Sequence, residues 1–446
     1  MKVTPCKGLI VNGWLRAIAI SYLLLLPAAS ATSKFSPTLT TKNLALPPNS
    51  VCAYWLDARR LFIIKQFYVP KAHFTAFQAF IYQLSTGKLE LLTRFNLFLR
   101  QYYLTSGGEF PFSQLSFSPD AQWVALPSPD SAFGSSVFGH FETNNDEPIG
   151  GWRYASGSKS YVFYNLRTNR YYHLNFWGTV VRNSFAWMPD SRHWVVLVHT
   201  DRATKLLKGD VSGTFVSQVC STLQVAHGGI SSALNLANPE DLQLIGSLDT
   251  TDNALWIALY PKSEQSIVGR QRVDAQTNPS SATFQERQWK IQSLDDLLFA
   301  CQLSGNRALE DQALKLLDAS MTGEFVELPL DSTSSSKKRV SCSFPYPVRI
   351  VRVLLSPDKQ KVAWLTFLSN AKRVSLELWI SDRSGKGLKR VWRQEGVFSP
   401  STLLTWQWLP DSKGLSYYAP ITMANQKLLI HILTLPSDTL SIGNQP

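Results

Sequence analysis

Two histidines and six aspartates are the residues whose spacing could carry chemistry. His193 and His199 lie in "HWVVLVH". Six residues apart on a strand places them on one face, but roughly 20 Å apart, too far to share a metal ion. Asp57, Asp120, Asp190, Asp252, Asp358 and Asp411 recur along the chain. A ring of carboxylates could serve acid–base work or cation binding. Their settings point elsewhere, because each lies shortly after an aromatic residue or Leu and precedes a strand. Asp120 stands in "FSPDAQWVAL", Asp190 in "WMPDSRHWVVL", Asp358 in "LSPDKQKVAWL" and Asp411 in "WLPDSKGLSYY". Asp57 and Asp252 occupy weaker copies without the proline, "YWLDARRLFI" and "LDTTDNALWIAL". Proline fixes φ for a turn and Asp accepts backbone N–H groups two residues on, so the expected role of all six is structural.

The elements around these turns form a unit. An apolar strand enters the turn, and a second apolar and aromatic strand leaves it. Two further strands then follow: Ala76–Leu84 and Leu89–Phe95 in the first unit, Lys159–Leu166 and Tyr171–Trp177 in the second, Arg373–Asp382 and Leu388–Gly396 in the fifth. Connectors such as "STGK", "RTNR" and "RSGKG" are hairpin signals. Four antiparallel strands per unit make a propeller blade, and blades bury their faces by stacking around an axis. The expected fold is all-β, a β-propeller of four-stranded antiparallel blades. Six copies give six blades; the long gap between Asp252 and Asp358 leaves seven as the alternative. Glu286–Asp295 reads as a third strand for the fourth blade, and Ala308–Ala319 has helical spacing suited to an insertion.

The Ser-Pro-Asp turn between the first two strands, followed by paired outer strands, resembles the TolB-type β-propeller repeats. The resemblance spans roughly residues 45–440 and lacks that family's N-terminal α/β domain. Where the family usually carries Gly after Pro-Asp, this chain has Ala121, Ser191, Lys359 and Ser412. The resemblance implies a propeller and an exported location.

Residues 1–31 read as a secretory signal peptide: Lys2, Lys7 and Arg16, then apolar Ala17–Leu26, then the small-residue site Ala29-Ser30-Ala31. The alternative is a retained N-terminal membrane anchor. Residues 32–44 are expected as a linker and 45–446 as the propeller, with insertions near 128–160 and 274–340. No transmembrane segment is expected in the mature chain, so the location is periplasmic or secreted. Cys52, Cys220, Cys301 and Cys342 remain after the signal and allow three pairings.

The sequence contains no Gly-x-Ser-x-Gly elbow, Cys-x-x-Cys pair, Asp-x-Asp-x-Asp-Gly loop or Gly-rich phosphate loop. No catalytic residue, metal site or cofactor is therefore expected. The net charge of +12 is scattered, its densest short runs being Lys337–Arg339 and Lys386–Arg390, and nucleic acid is not expected as a partner. The most individual loop runs from Ser128 to Ser160 and carries Phe133, Phe138, Phe141, Trp152 and Tyr154. Aromatics in a polar loop suit recognition. The functional expectation is a monomeric, non-catalytic scaffold in the bacterial cell envelope that binds a protein, peptide or glycan. The alternative is a hydrolase or lyase whose site is assembled from several blades at a channel mouth.

Overall fold

The computed structural model describes residues 39–69, 74–103, 115–127, 160–175, 179–180, 184–199, 204–211, 223–224, 245–251, 254–259, 265–273, 283–291, 319–329, 338–369, 374–396, 400–419 and 427–436. The chain is all-β, and its strands form four-stranded antiparallel sets arranged as a propeller. Among the described residues strand β1 (Thr40–Ala45) comes first. Blade 1 comprises β2 (Ser50–Asp57), β3 (Arg60–Val69), β4 (Phe74–Gln83) and β5 (Leu89–Leu91), followed by helix α1 (Thr93–Tyr103). Blade 2 comprises β6 (Ser116–Phe117), β7 (Trp123–Pro127), β8 (Ser160–Asn165) and β9 (Tyr171–Asn175). In blade 3, β10 (Thr179–Val180) and β11 (Ala186–Trp187) are two pieces on one side of β12 (His193–His199), and β13 (Thr204–Asp210) and β14 (Leu223–Gln224) lie on the other.

Blade 4 opens with β15 (Ile245–Thr250) and β16 (Ala254–Leu259). The hairpin of β17 (Gln265–Val273) and β18 (Thr283–Ile291) forms a sheet of its own. Blade 4 resumes with β19 (Ser320–Pro329) and the first half of β20 (Lys338–Leu355). The second half of β20 opens blade 5, which adds β21 (Lys361–Ser369), β22 (Val374–Asp382) and β23 (Lys389–Glu395). A short α2 (Pro400–Leu403) precedes β24 (Gln407–Trp408), β25 (Gly414–Tyr418) and β26 (Leu429–Thr434). These three make blade 6 with β1, which pairs with β26 from Thr40 opposite Thr434 to Ala45 opposite Leu429.

The second strand of each blade is packed on both faces by neighbouring blades. Near-continuous apolar runs are the consequence, rather than alternation. Leu61–Ile64 in β3, Val124–Leu126 in β7, Val195–Leu197 in β12 and Leu255–Ala258 in β16 are all fully buried. Trp194, Trp256 and Trp364 on β12, β16 and β21 are among the largest fully buried side chains. Two of them are accommodated by glycine: a Cβ at Gly209 or Gly323 would overlap the ring of Trp194 or Trp364. Truncating such a tryptophan costs about 3–5 kcal/mol.

The blades bond to one another in a cycle among the described residues. Phe117 of blade 2 packs on Tyr54 of blade 1 at 5.3 Å. Trp187 Nε1 of blade 3 donates to Ser116 O of blade 2 at 3.0 Å. Thr250 Oγ1 of blade 4 donates to Trp187 O at 2.6 Å. Lys359 Nζ of blade 5 meets Asp249 Oδ1 of blade 4 at 2.8 Å. Trp408 Nε1 of blade 6 donates to Leu354 O of blade 5 at 3.0 Å, and Gln407 Nε2 donates back to Ala53 O of blade 1 at 2.8 Å. Trp187 and Trp408 occupy equivalent positions, two residues before their prolines, and each reaches the carbonyl preceding the equivalent residue one blade earlier.

Four sequence expectations change. Thr40–Ala45 is a strand that overlaps the segment 32–44 read as linker; its polar residues hide the role because its partner, Leu429–Thr434, is far away in sequence. The strand Leu89–Phe95 stops at Leu91, and α1 follows. Asn96 then supplies both bonds that a fourth strand would give, accepting Ala79 N at 2.6 Å and donating to Ala79 O at 3.0 Å. The segment Glu286–Asp295 was expected in the fourth blade; the residues through Ile291 belong to β18, which pairs with β17 instead. Ser320–Pro329, placed in the insertion 274–340, is the third strand of blade 4.

Candidate functional site

The repeated aspartates sit where the first two strands of a blade join. Asp120 Oδ1 accepts Gln122 N at 3.0 Å and the Ser118 hydroxyl at 2.6 Å, and Ser118 Oγ accepts Trp123 N at 2.9 Å. The same set recurs with Asp358, Gln360, Ser356 and Lys361. Asp411 accepts Lys413 N at 3.0 Å, and Asp57 accepts Arg59 N at 2.7 Å and Arg60 Nε at 2.6 Å. Asp252 lies outside the described residues. The four residues after Pro-Asp all have positive φ: 57° at Ala121, 58° at Ser191, 60° at Lys359 and 58° at Ser412. Glycine adopts this region freely and other residues do so at a cost. Ser191, Lys359 and Ser412 use their side chains there to reach the preceding blade.

The turn of blade 3 gathers more charge. His193 Nδ1 lies 2.5 Å from Asp190 Oδ2, His193 Nε2 is 3.4 Å from Asp210 Oδ2, and Arg192 Nε is 2.7 Å from the same oxygen. Partial burial pushes the Asp190 carboxyl up, but hydrogen bonds from the His193 backbone and ring and from Arg192 N–H outweigh it and bring it down to about 2. His199 pairs with Thr204 at the far end of β12, so the two histidines stay apart. No group of three metal-ligating side chains occurs among the described residues.

At the inner strands of blades 5, 6 and 1, Arg352 Nη1 donates to the carbonyls of Leu403 and Leu404. Trp55 Nε1 donates to Ser416 Oγ at 2.8 Å, and the Tyr418 hydroxyl accepts Ala53 N at 3.3 Å. Burial raises the Tyr54 and Tyr418 phenols far beyond the normal range, reinforced by Cys52 and opposed by Arg352. Burial likewise pushes the Cys52 thiol up to about 12. These groups stay protonated at neutral pH, and the Tyr418 hydroxyl braces blade 6 against Ala53 of blade 1. Cys52 and Cys342 are free, buried thiols; Cys220 and Cys301 lie outside the described residues, as do Phe133, Phe138, Phe141, Trp152 and Tyr154.

The sequence did not point to Glu377, the one fully buried carboxylate among the described residues. It sits in the plain strand "VSLELWISD", and the nearest signal is the basic run after Asp382. No helix among the described residues is long and apolar enough to cross a membrane.

No protein-family model and no curated protein matches this sequence. Solved structures similar to it include the β-propeller domain of the trilobed protease of Pyrococcus furiosus, at 9% identity and TM-score 0.36, covering 89% of this chain and 94% of that one. TolB from Acinetobacter baumannii is similar at 10% identity and TM-score 0.27, covering 80% and 76%. Porphyromonas gingivalis dipeptidyl peptidase 4 is similar at 12% identity and TM-score 0.36, covering 84% of this chain but 44% of that one.

Proposed function

We propose that this chain is an exported, non-catalytic binding scaffold of the bacterial cell envelope, built of TolB-like repeats, that holds a protein, peptide or glycan at a loop-bearing end of its propeller. The observation that carries this reading is the use made of the polar groups on the inner strands. Arg352, Gln407, Trp55 and Trp408 each bond a backbone or side-chain group of a neighbouring blade. Such bonds make the ring a stiff frame, and a stiff frame lets variable loops present a pre-organised surface. The long loop 128–160 between β7 and β8, with its five aromatics, is the proposed contact. The signal-like residues 1–31 support export.

The test is affinity capture from a solubilised envelope fraction, using the intact chain and a chain lacking residues 130–157. A partner recovered with the intact chain and lost with the deletion supports the proposal. Equal recovery with both removes the loop from the function, and no partner above background overturns the scaffold reading.

A further inference from the structure

The outer edge of blade 5 carries two arginines held in place by a buried acid. Glu377 Oε1 and Oε2 each lie 2.9 Å from the Tyr346 hydroxyl. Trp379 Nε1 donates to Oε2 at 3.2 Å, and Arg390 Nη1 to Oε1 at 3.1 Å. Arg390 Nη1 also donates to the Tyr346 hydroxyl at 2.7 Å, and Arg393 Nη1 stands 3.7 Å from Oε1. Residues three apart on a regular strand point to opposite faces. Here the register shifts opposite Leu378 and Trp379, so Arg393 lies across from Glu377 and Arg390 across from Trp379. That bulge brings both guanidinium groups to the face that holds Glu377.

The pair is positioned but not consumed. One buried carboxylate faces two guanidinium groups whose side chains remain 30% and 35% exposed. Each guanidinium has five N–H donors, and the bonds just given use a minority of them. From Arg383 to Arg393 the sequence has five basic residues and no acid. Glu395, 3.4 Å from Arg393 Nη2, is the acid at the end of the strand. β23 ends the strand order of its sheet, with β22 as its strand neighbour among the described residues. A terminal strand presents backbone donors and acceptors to an added strand, and its cations deter neutral or basic segments.

We infer that the outer edge of β23 is a docking site for an extended acidic peptide, which adds as a strand and sets a carboxylate over Arg390 and Arg393. The backbone pairing supplies the extended geometry, and the guanidinium pair selects a carboxylate through charge-assisted bonds. Glu377, Tyr346 and Trp379 are positioning residues: they hold the arginines so that little side-chain freedom is lost on binding. This site is independent of the loop-end reading above.

The test is fluorescence anisotropy on the full chain with a labelled peptide alternating Glu and Val. Three comparisons accompany it: the same peptide with Gln for Glu, the Glu peptide N-methylated at alternate backbone nitrogens, and the Arg390→Gln/Arg393→Gln variant. The expected result is saturable binding of the acidic peptide that weakens by about tenfold or more with the Gln peptide and with the variant, and that is lost on N-methylation. Equal binding of the Gln peptide removes the charge selection and overturns the inference. Equal binding of the N-methylated peptide removes the strand addition and does the same. The peptide comparisons leave the protein unchanged, so they decide the question even if the double variant folds poorly.

Discussion

Ser191 Oγ in blade 3 accepts the backbone N–H of Asp120 in blade 2 at 2.8 Å. Ser412 in blade 6 does the same for Asp358 in blade 5 at 3.0 Å. Both serines hold a left-handed backbone where glycine would be unstrained. The strain is thus offset by a bond between blades, which glycine could not make.

This relationship separates two substitutions at one position. Ser191→Ala keeps the strain and loses the bond, leaving the Asp120 N–H without its acceptor. It should cost about 1–2 kcal/mol in chemical denaturation. Ser191→Gly loses the same bond but relieves the backbone, so it should cost less than Ser191→Ala. A glycine variant more stable than the parent chain would mean that the backbone strain at this position outweighs the inter-blade bond.

Gly209 lies opposite Trp194, and a Cβ there would overlap the indole. Gly209→Ala should destabilise by about 1–3 kcal/mol, the range for overpacking a closed core. The Trp194 fluorescence environment should change in the same variant. An unchanged midpoint would show that the ring can shift without loss.

Thr366 is opposite Glu377 on β21, fully buried, and its Oγ1 has no hydrogen-bond partner among the described residues. A buried hydroxyl without a partner costs about 1–3 kcal/mol. Thr366→Val keeps the shape and removes the hydroxyl, so thermal unfolding should move upward by a few degrees. A fall in the midpoint would indicate that the hydroxyl is satisfied in solution.

Asp190 gives a pH prediction. Its folded carboxyl is held down at about 2 by His193 and Arg192 despite partial burial, while an unfolded Asp titrates near 3.9. The depressed group contributes stability above the unfolded value and loses it as pH falls toward 2. The stability gap between the parent chain and Asp190→Asn should be full at pH 6 and shrink steadily between about pH 4 and pH 2. A gap that is the same at pH 6 and pH 2.5 would assign the effect to packing.

What the sequence revealed was local. Pro-Asp turns, and the apolar strands that follow them, are set by neighbouring residues, so β7, β12, β21 and β25 were readable together with the blade unit. Pairing between distant segments left little trace. Thr40–Ala45 is mostly polar and becomes a strand because Leu429–Thr434 is beside it. Thr283–Ile291 has good strand character, but composition does not say whether it pairs with Gln265–Val273 or with Ala254–Leu259. The edge of blade 5 was hidden for a similar reason: a bulge, not a spacing rule, brings Arg390 and Arg393 to one face. Gly replaced by Ser at the turn looked like a departure from the repeat, and the Oγ bond to the preceding blade accounts for it.

The pairing of β1 with β26 also orders events in time. β1 cannot find its partner until the chain has been made as far as Thr434, because Thr40 pairs with Thr434 and Ala45 with Leu429 in one ladder. Contacts this distant in sequence form slowly. Until that last ladder closes, β26 has an open edge, and this interval is when the folding chain is most exposed to pairing with another copy of itself.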